Sequence, residues 1–207
     1  MDTLEISLDG YTDLPPGKIA NIVTYLEMTA PPAPTGTGPA RTDLAFRRRA
    51  APDTGWFRAT IRAIGEDWLW FSPLVMAEAK LAAILADPGM DFYVLERDGT
   101  TVGIAQLDRR TAGEVEIAFF GVVPSETGTG AGRFLMDRTL EAAFGPGVRR
   151  VWLHTCTFDH PAAVPFYLRA GFVPYKLAIE VTDDPRLTGH IPRSAGRHVA
   201  LIEPGKT

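Results

Sequence analysis

Apolar and polar positions change their period several times along this chain, and glycine and proline mark most of the changes. From Ile19 to Met28, β-branched and aromatic residues dominate, which predicts a strand. Residues 30–41 hold four prolines and two glycines and predict an exposed Pro-rich loop. Phe57, Ile61 and Ile64 share a helical face behind Asp53, a suitable N-cap, and Gly65 can end that helix. The aromatic cluster Asp67-Trp68-Leu69-Trp70-Phe71 precedes a second helix. It is predicted to start with Ser72 as N-cap and Pro73 in its first turn, to carry Leu74, Leu81, Ile84 and Leu85, and to stop at Asp87-Pro88-Gly89. Three strands follow, at Phe92–Glu96, Thr101–Leu107 and Glu114–Val123. Turns at Asp98-Gly99 and Ala112-Gly113 make them an antiparallel meander. The period turns helical from Gly130 to Phe144. Val151–Cys156 reads as a buried strand, His160–Ala170 as a short helix closed by Gly171, and Phe172–Val181 as a last strand. Residues 182–207 read as an irregular C-terminal tail.

The predicted order is β, α, α, β, β, β, α, β, α, β. It describes a mixed α/β (α+β) single domain over residues 1–207, with one sheet that is part antiparallel and part helix-connected. Composition narrows the functions. The chain has 207 residues, 45% hydrophobic and 22% charged, which is ordinary for a globular protein. One cysteine, Cys156, excludes an internal disulfide framework and a cysteine-rich zinc site. A formal net charge of -4 supplies no general basic field for a nucleic-acid backbone. No apolar run is long enough to cross a bilayer, and Met1-Asp2-Thr3-Leu4-Glu5 has no secretory pattern. The expectation is a soluble cytoplasmic protein with no metal, no nucleic-acid partner and no membrane contact. Arg47-Arg48-Arg49 reads as a solvated face.

The informative segment is Val122-Val123-Pro124-Ser125-Glu126-Thr127-Gly128-Thr129-Gly130-Ala131-Gly132-Arg133, between an apolar strand and an amphipathic helix. Amides that converge before a helix N-terminus favour an anion such as a diphosphate. Alternate glycines let the backbone approach it, and Arg133 can add a charged donor. No Lys-Ser or Lys-Thr follows, so the spacing is not that of a P-loop. A nucleotide-binding loop remains an alternative.

These residues resemble the GNAT N-acetyltransferase superfamily. Its acyl-CoA loop runs Val-x-Pro, a spacer, Arg or Gln, Gly-x-Gly-x-Gly or Ala, then a helix with Leu three positions on. Here that is Val122-Val123-Pro124, Thr127, Gly128-Thr129-Gly130-Ala131-Gly132 and Leu135. Ala163, Tyr167 and Gly171-Phe172 fit a second block of the family. The resemblance spans roughly residues 19–181. It implies a mixed sheet of about six or seven strands flanked by about four helices. Thr127 departs from the usual Arg or Gln, and His160 stands where many members have Asn.

By resemblance, acetyl-CoA is the cosubstrate, held by Val122, Val123, Gly128, Thr129, Gly130, Ala131, Gly132, Arg133 and His160. The acceptor is an amine of a small molecule or peptide, and the protein can pair as a homodimer. Glu116 is the candidate base, and Tyr167 the candidate acid for the thiolate. A backbone N–H near Val122 is the implied oxyanion donor, at a place where the strand splays from its neighbour. The bland reading of Glu116 is a solvent-facing strand residue beside Glu114, and His154 is a second candidate base. Cys156 reads as a small core residue. Trp56, Trp68, Trp70 and Phe71 either line an acceptor pocket or cover the sheet. His190 and His198, with Arg186, Arg193 and Arg197, suggest a basic flap or a subunit contact. A non-catalytic acyl-CoA-binding module and a hydroxyl acceptor remain as alternatives.

Overall fold

The structure is a computed structural model that describes residues 3–32 and 41–205. Most of the predicted Pro-rich loop, residues 33–40, lies outside the described residues. Among the described residues seven strands form one sheet in the order β2-β3-β4-β5-β6-β1-β7. They are β1 Lys18–Met28, β2 Ala45–Arg48, β3 Met90–Arg97, β4 Thr100–Asp108, β5 Glu114–Val122, β6 Arg150–Cys156 and β7 Val173–Asp183. Every neighbouring pair is antiparallel except β5 and β6, which are parallel. The helices are α1 Thr54–Gly65, α2 Ser72–Val75, α3 Glu78–Leu85, α4 Ala131–Ala143 and α5 Ala163–Ala170.

Three sequence expectations need correction. The strand β2 was not predicted, because its four residues include two arginines. Its pairing with β3 is carried by the backbone and by the ion pairs Arg47–Glu96 and Arg48–Asp91. Among the described residues there are five helices, where the resemblance implies about four. Met76 and Ala77 are extended and divide the predicted second helix, and the Arg58 guanidinium donates to the freed carbonyls of Pro73 and Met76. Ser72 makes no capping hydrogen bond and lies inside α2. Asp53, by contrast, does cap α1, accepting from Trp56 N at 2.8 Å.

Helices cover both faces of the sheet. α1, α2 and α3 pack on one face through Phe57, Ile61, Leu74 and Leu81 against Phe92 and Ile104. α4 and α5 pack on the other through Met136, Leu140 and Tyr167 against Leu26, Leu107 and Leu153. Helix α4 is the crossover that joins the two parallel strands, β5 and β6. Residues beyond β7 have little regular structure, yet they are not a loose tail. Ile191 and Ala195 join the core under α1. Buried Arg186 pairs with buried Asp184 and donates to the carbonyls of Val199 and Ala200, which knots the segment on itself. Among the described residues no helix is long and apolar enough to cross a membrane.

Candidate active site

The position of the site follows from a fault in the sheet. β5 and β6 pair only across Glu114–Glu116 and Arg150–Trp152. A register shift at Ala118 places a bulge in β5, between Leu107↔Ile117 and Gln106↔Phe119. A bulge bends its strand. Beyond it the two strands diverge, and a cleft of about 860 Å³ opens between them. The cleft wall joins Glu116, Val122, Gly128, Gly130, His154 and Tyr167, so chemistry scattered through the sequence meets in one place.

The free edge of β5 can be read from its hydrogen bonds. Val123 N–H donates to Val102 O at 2.9 Å, and Gly103 stands opposite Val122. Antiparallel pairs alternate between bonded and non-bonded. The amides of Val122 and Phe120 therefore turn away from β4, into the opening. Val123 lacks this freedom, because its amide is already used.

The glycine loop continues from this edge. Gly128 and Gly130 have φ of +79° and +85°, which an L side chain strains to adopt. Gly132 differs. A Cβ there would meet only Phe166, at 4.0 Å, so the protein itself leaves room beside this residue. Among the described residues the N–H groups of Gly128, Gly130, Gly132 and Arg133 find no acceptor. They gather at the positive end of the α4 dipole. Thr129 and Ala131 are not on the wall. Thr129 Oγ1 bonds to Glu126, and Ala131 is fully buried. The Arg133 side chain is exposed, 3.9 Å from Asp137.

Sequence reasoning missed the charged frame behind this loop. Glu126 is only 6% exposed, although a carboxylate would oppose a bound anion. Arg97 grips it with Nε–Oε1 at 2.7 Å and Nη2–Oε2 at 3.0 Å. That guanidinium holds the Glu126 carboxyl below its ordinary pKa. Arg97 also meets Asp43. Arg41 pairs with the same Asp43 and donates to Thr129 O at 3.1 Å. The only local signal was an acidic residue inside an otherwise neutral loop.

Glu114 and Glu116 separate clearly in space. Glu114 belongs to a group in which Arg150 bridges it and Glu27. Glu116 lies 3.5 Å from His154 Nδ1. That contact raises the His154 pKa above its ordinary value, against the opposing effect of burial. Tyr167 is caged edge-on by Phe120, Phe166 and Phe172. Burial raises its pKa, so the phenol keeps its proton. Cys156 lies on the wall, but burial pushes its thiol up to about 11, which makes it a poor nucleophile.

The far wall is aromatic and acidic. Trp70 fills the space left by Gly65 and Gly121, and its Nε1 donates to Asp159 at 2.8 Å. Trp68 is flanked by His160 and His198, with ring centroids at 4.9 and 5.5 Å. His160 Nδ1 accepts from Ala162 N and so shapes the turn into α5, which begins at Ala163 rather than at His160. Trp56 lies outside the cleft wall, under the Arg49 guanidinium. His190 and His198 stand in separate contacts. The His190 carbonyl accepts from Arg62, and His198 Nε2 bonds to Phe158 O. Among the described residues no cluster of three potential metal ligands occurs.

Comparison with known proteins adds the following. Residues 57–172 match the model of the Acetyltransferase (GNAT) family. No curated protein matches. Among solved structures, a GCN5-related N-acetyltransferase from Sphaerobacter thermophilus superposes with a TM-score of 0.55 at 19% identity, covering 79% of this chain and 52% of its own. A tandem GNAT protein from the clavulanic acid biosynthesis pathway gives 0.58 at 15%, covering 87% and 62%. An aminoglycoside acetyltransferase from an uncultured soil metagenomic sample gives 0.52 at 18%, covering 63% and 89%. The chain thus spans about half the length of the Sphaerobacter thermophilus protein.

Proposed function

The chain belongs to the GNAT acetyltransferase family, and from that premise we propose that it moves an acetyl group from acetyl-CoA directly to an amine. The observation that carries this reading is the set of unpaired amides at Gly128, Gly130, Gly132 and Arg133, opening into the same cleft as Glu116, His154 and Tyr167. Four N–H groups at a helix N-terminus suit a diphosphate, and the space beside Gly132 lets it approach the backbone. The free edge of β5 suits the amides of a pantetheine arm, which can pair there as a strand would.

The roles follow from position. Bound acetyl-CoA supplies an activated acyl carbon and a thiolate leaving group. Val122 N–H lies where it can stabilise the developing oxyanion. Glu116 takes the proton that the ammonium must lose before it attacks, and its contact with His154 offers a path for that proton. As the new C–N bond forms and the C–S bond breaks, Tyr167 gives its proton to the departing sulfur, and the second proton shed by the attacking nitrogen passes to solvent, which reprotonates Tyr167. The carboxylates of Glu116, Asp159 and Glu180, all on the cleft wall, favour a cationic acceptor, small molecule or peptide. Trp68, Trp70 and Phe71 give that acceptor an apolar surface.

A panel of amines with acetyl-CoA, followed by thiol release, tests the reading. Amine-dependent release is the expected result. Coenzyme A binding without release for any amine would favour a binding module. Affinity for ATP or NAD but not for coenzyme A would reject the loop assignment.

A further inference from the structure

β7 ends the sheet, and among the described residues no strand pairs with its outer edge. Its alternate residues Leu177, Ile179 and Val181 are 68%, 48% and 37% exposed, and Ile22 opposite Ile179 on β1 is 42% exposed. A long apolar edge of this kind is a template for pairing with another chain.

The hydrogen-bond pattern shows what this edge offers. Asp184 N–H donates to Gly17 O at 2.9 Å, in the register that sets Lys18 against Asp183. By alternation, Lys176, Ala178, Glu180 and Thr182 bond to β1, while Leu177, Ile179 and Val181 turn their N–H and C=O groups outward. Pro174 has no N–H and ends the usable edge.

We propose that the outer edge of β7 pairs antiparallel with β7 of a second copy, about a two-fold axis through Ala178. In that register Leu177 bonds with Ile179 of the second copy. Lys176 stands opposite Glu180 of the second copy, twice by symmetry. The charges select this register. A slip of four residues either way sets lysine against lysine or glutamate against glutamate. A slip of two leaves Lys176 facing Ala178 or Thr182. A slip of one sets outward groups against groups already bonded to β1. Leu177, Ile179 and Ile22 of both copies then form one apolar stripe, and two seven-stranded sheets become continuous. Glu180 also accepts from Asn21 and lines the cleft, so the second copy's Lys176 would stand at the edge of the acceptor side.

Sedimentation of the full chain, with circular dichroism to confirm folding, tests this. The native protein is expected to be a dimer, Lys176→Glu and Glu180→Lys each monomers, and the double swap a dimer again. A native monomer, single variants that stay dimeric, or a double swap that stays monomeric would each overturn the proposal. A second test does not depend on weakening the edge. Ala178 faces itself as a non-hydrogen-bonded pair with Cα atoms about 4.5 Å apart, a separation that admits a disulfide. Ala178→Cys in a Cys156→Ser background should crosslink on oxidation, and its failure to do so while the protein is dimeric would also overturn the register.

Discussion

The two sides of the cleft are built in opposite ways. On the side of α4, the anion-facing part of the wall comes from one short run of sequence, with Val122, Gly128, Gly130, Gly132 and Arg133 on it, and it offers mainly backbone. On the side of α1, the wall is side chains from separate elements, with Trp68 and Trp70 before α2, Glu116 on β5, His154 on β6 and Glu180 on β7. A diphosphate can be met by amides and a helix dipole, so a short motif suffices. An acceptor must be recognised by side chains, and these have to be brought together by the whole fold. The first side is therefore rigidly specified, and the second is open to variation.

The sharpest break of this contrast comes from the loop. Gly130→Glu adds backbone strain and a carboxylate at the anion site, and coenzyme A affinity should fall by at least about 100-fold. Retained affinity in calorimetry would dissociate the loop from the ligand. On the other side, the knotted C-terminal segment supports Trp68 through His198. Arg186→Met should leave buried Asp184 unpaired and cost on the order of 3 to 5 kcal/mol in denaturant unfolding. A change below about 1 kcal/mol would show that the segment is not integral to the core.

Between the two sides stands Tyr167. Tyr167→Phe should lower kcat by about 100-fold with coenzyme A affinity unchanged, as expected for loss of a proton donor. Equal turnover would leave it a packing residue in its aromatic cage. A smaller effect tests the frame behind the loop. Arg97→Gln strands the Glu126 carboxylate in the cradle and should weaken coenzyme A about 10-fold, while Arg97→Gln with Glu126→Gln should recover most of it. If the double variant binds no better than the single, the frame acts by shape and not by charge.

The mildest effect is a titration. Glu116 raises the His154 pKa, so Glu116→Gln should lower it in a proton NMR titration. The stability from this pair is fully present below pH 6.5, the ordinary value, and is lost as pH rises through the raised folded-state value. An unmoved His154 would separate the two residues and leave the base unassigned.

The same contrast explains what the sequence made legible. Period and turn residues revealed six of the seven strands and the order of the elements. The missing β2 has four residues and two arginines, and no periodicity can be read from so short a run. The glycine loop was legible because its chemistry is local. The pairing of Arg97 with Glu126 was not, since 29 positions separate them and only the β3–β4–β5 meander brings them together. Glu114 and Glu116 looked alike at period two. Only the three-dimensional partners, Arg150 for one and His154 for the other, tell them apart. The C-terminal segment lacks period altogether, and it is held by the buried Arg186–Asp184 pair, by Arg186 on the carbonyls of Val199 and Ala200, and by Ile191 and Ala195 in the core.

The most direct measurement follows the amide resonances of nitrogen-15-labelled protein as coenzyme A is added. The largest shifts should fall on Val122, Gly128, Gly130, Gly132 and Arg133. Shifts centred elsewhere, for instance on the arginines of the C-terminal segment with the loop unmoved, would contradict the account.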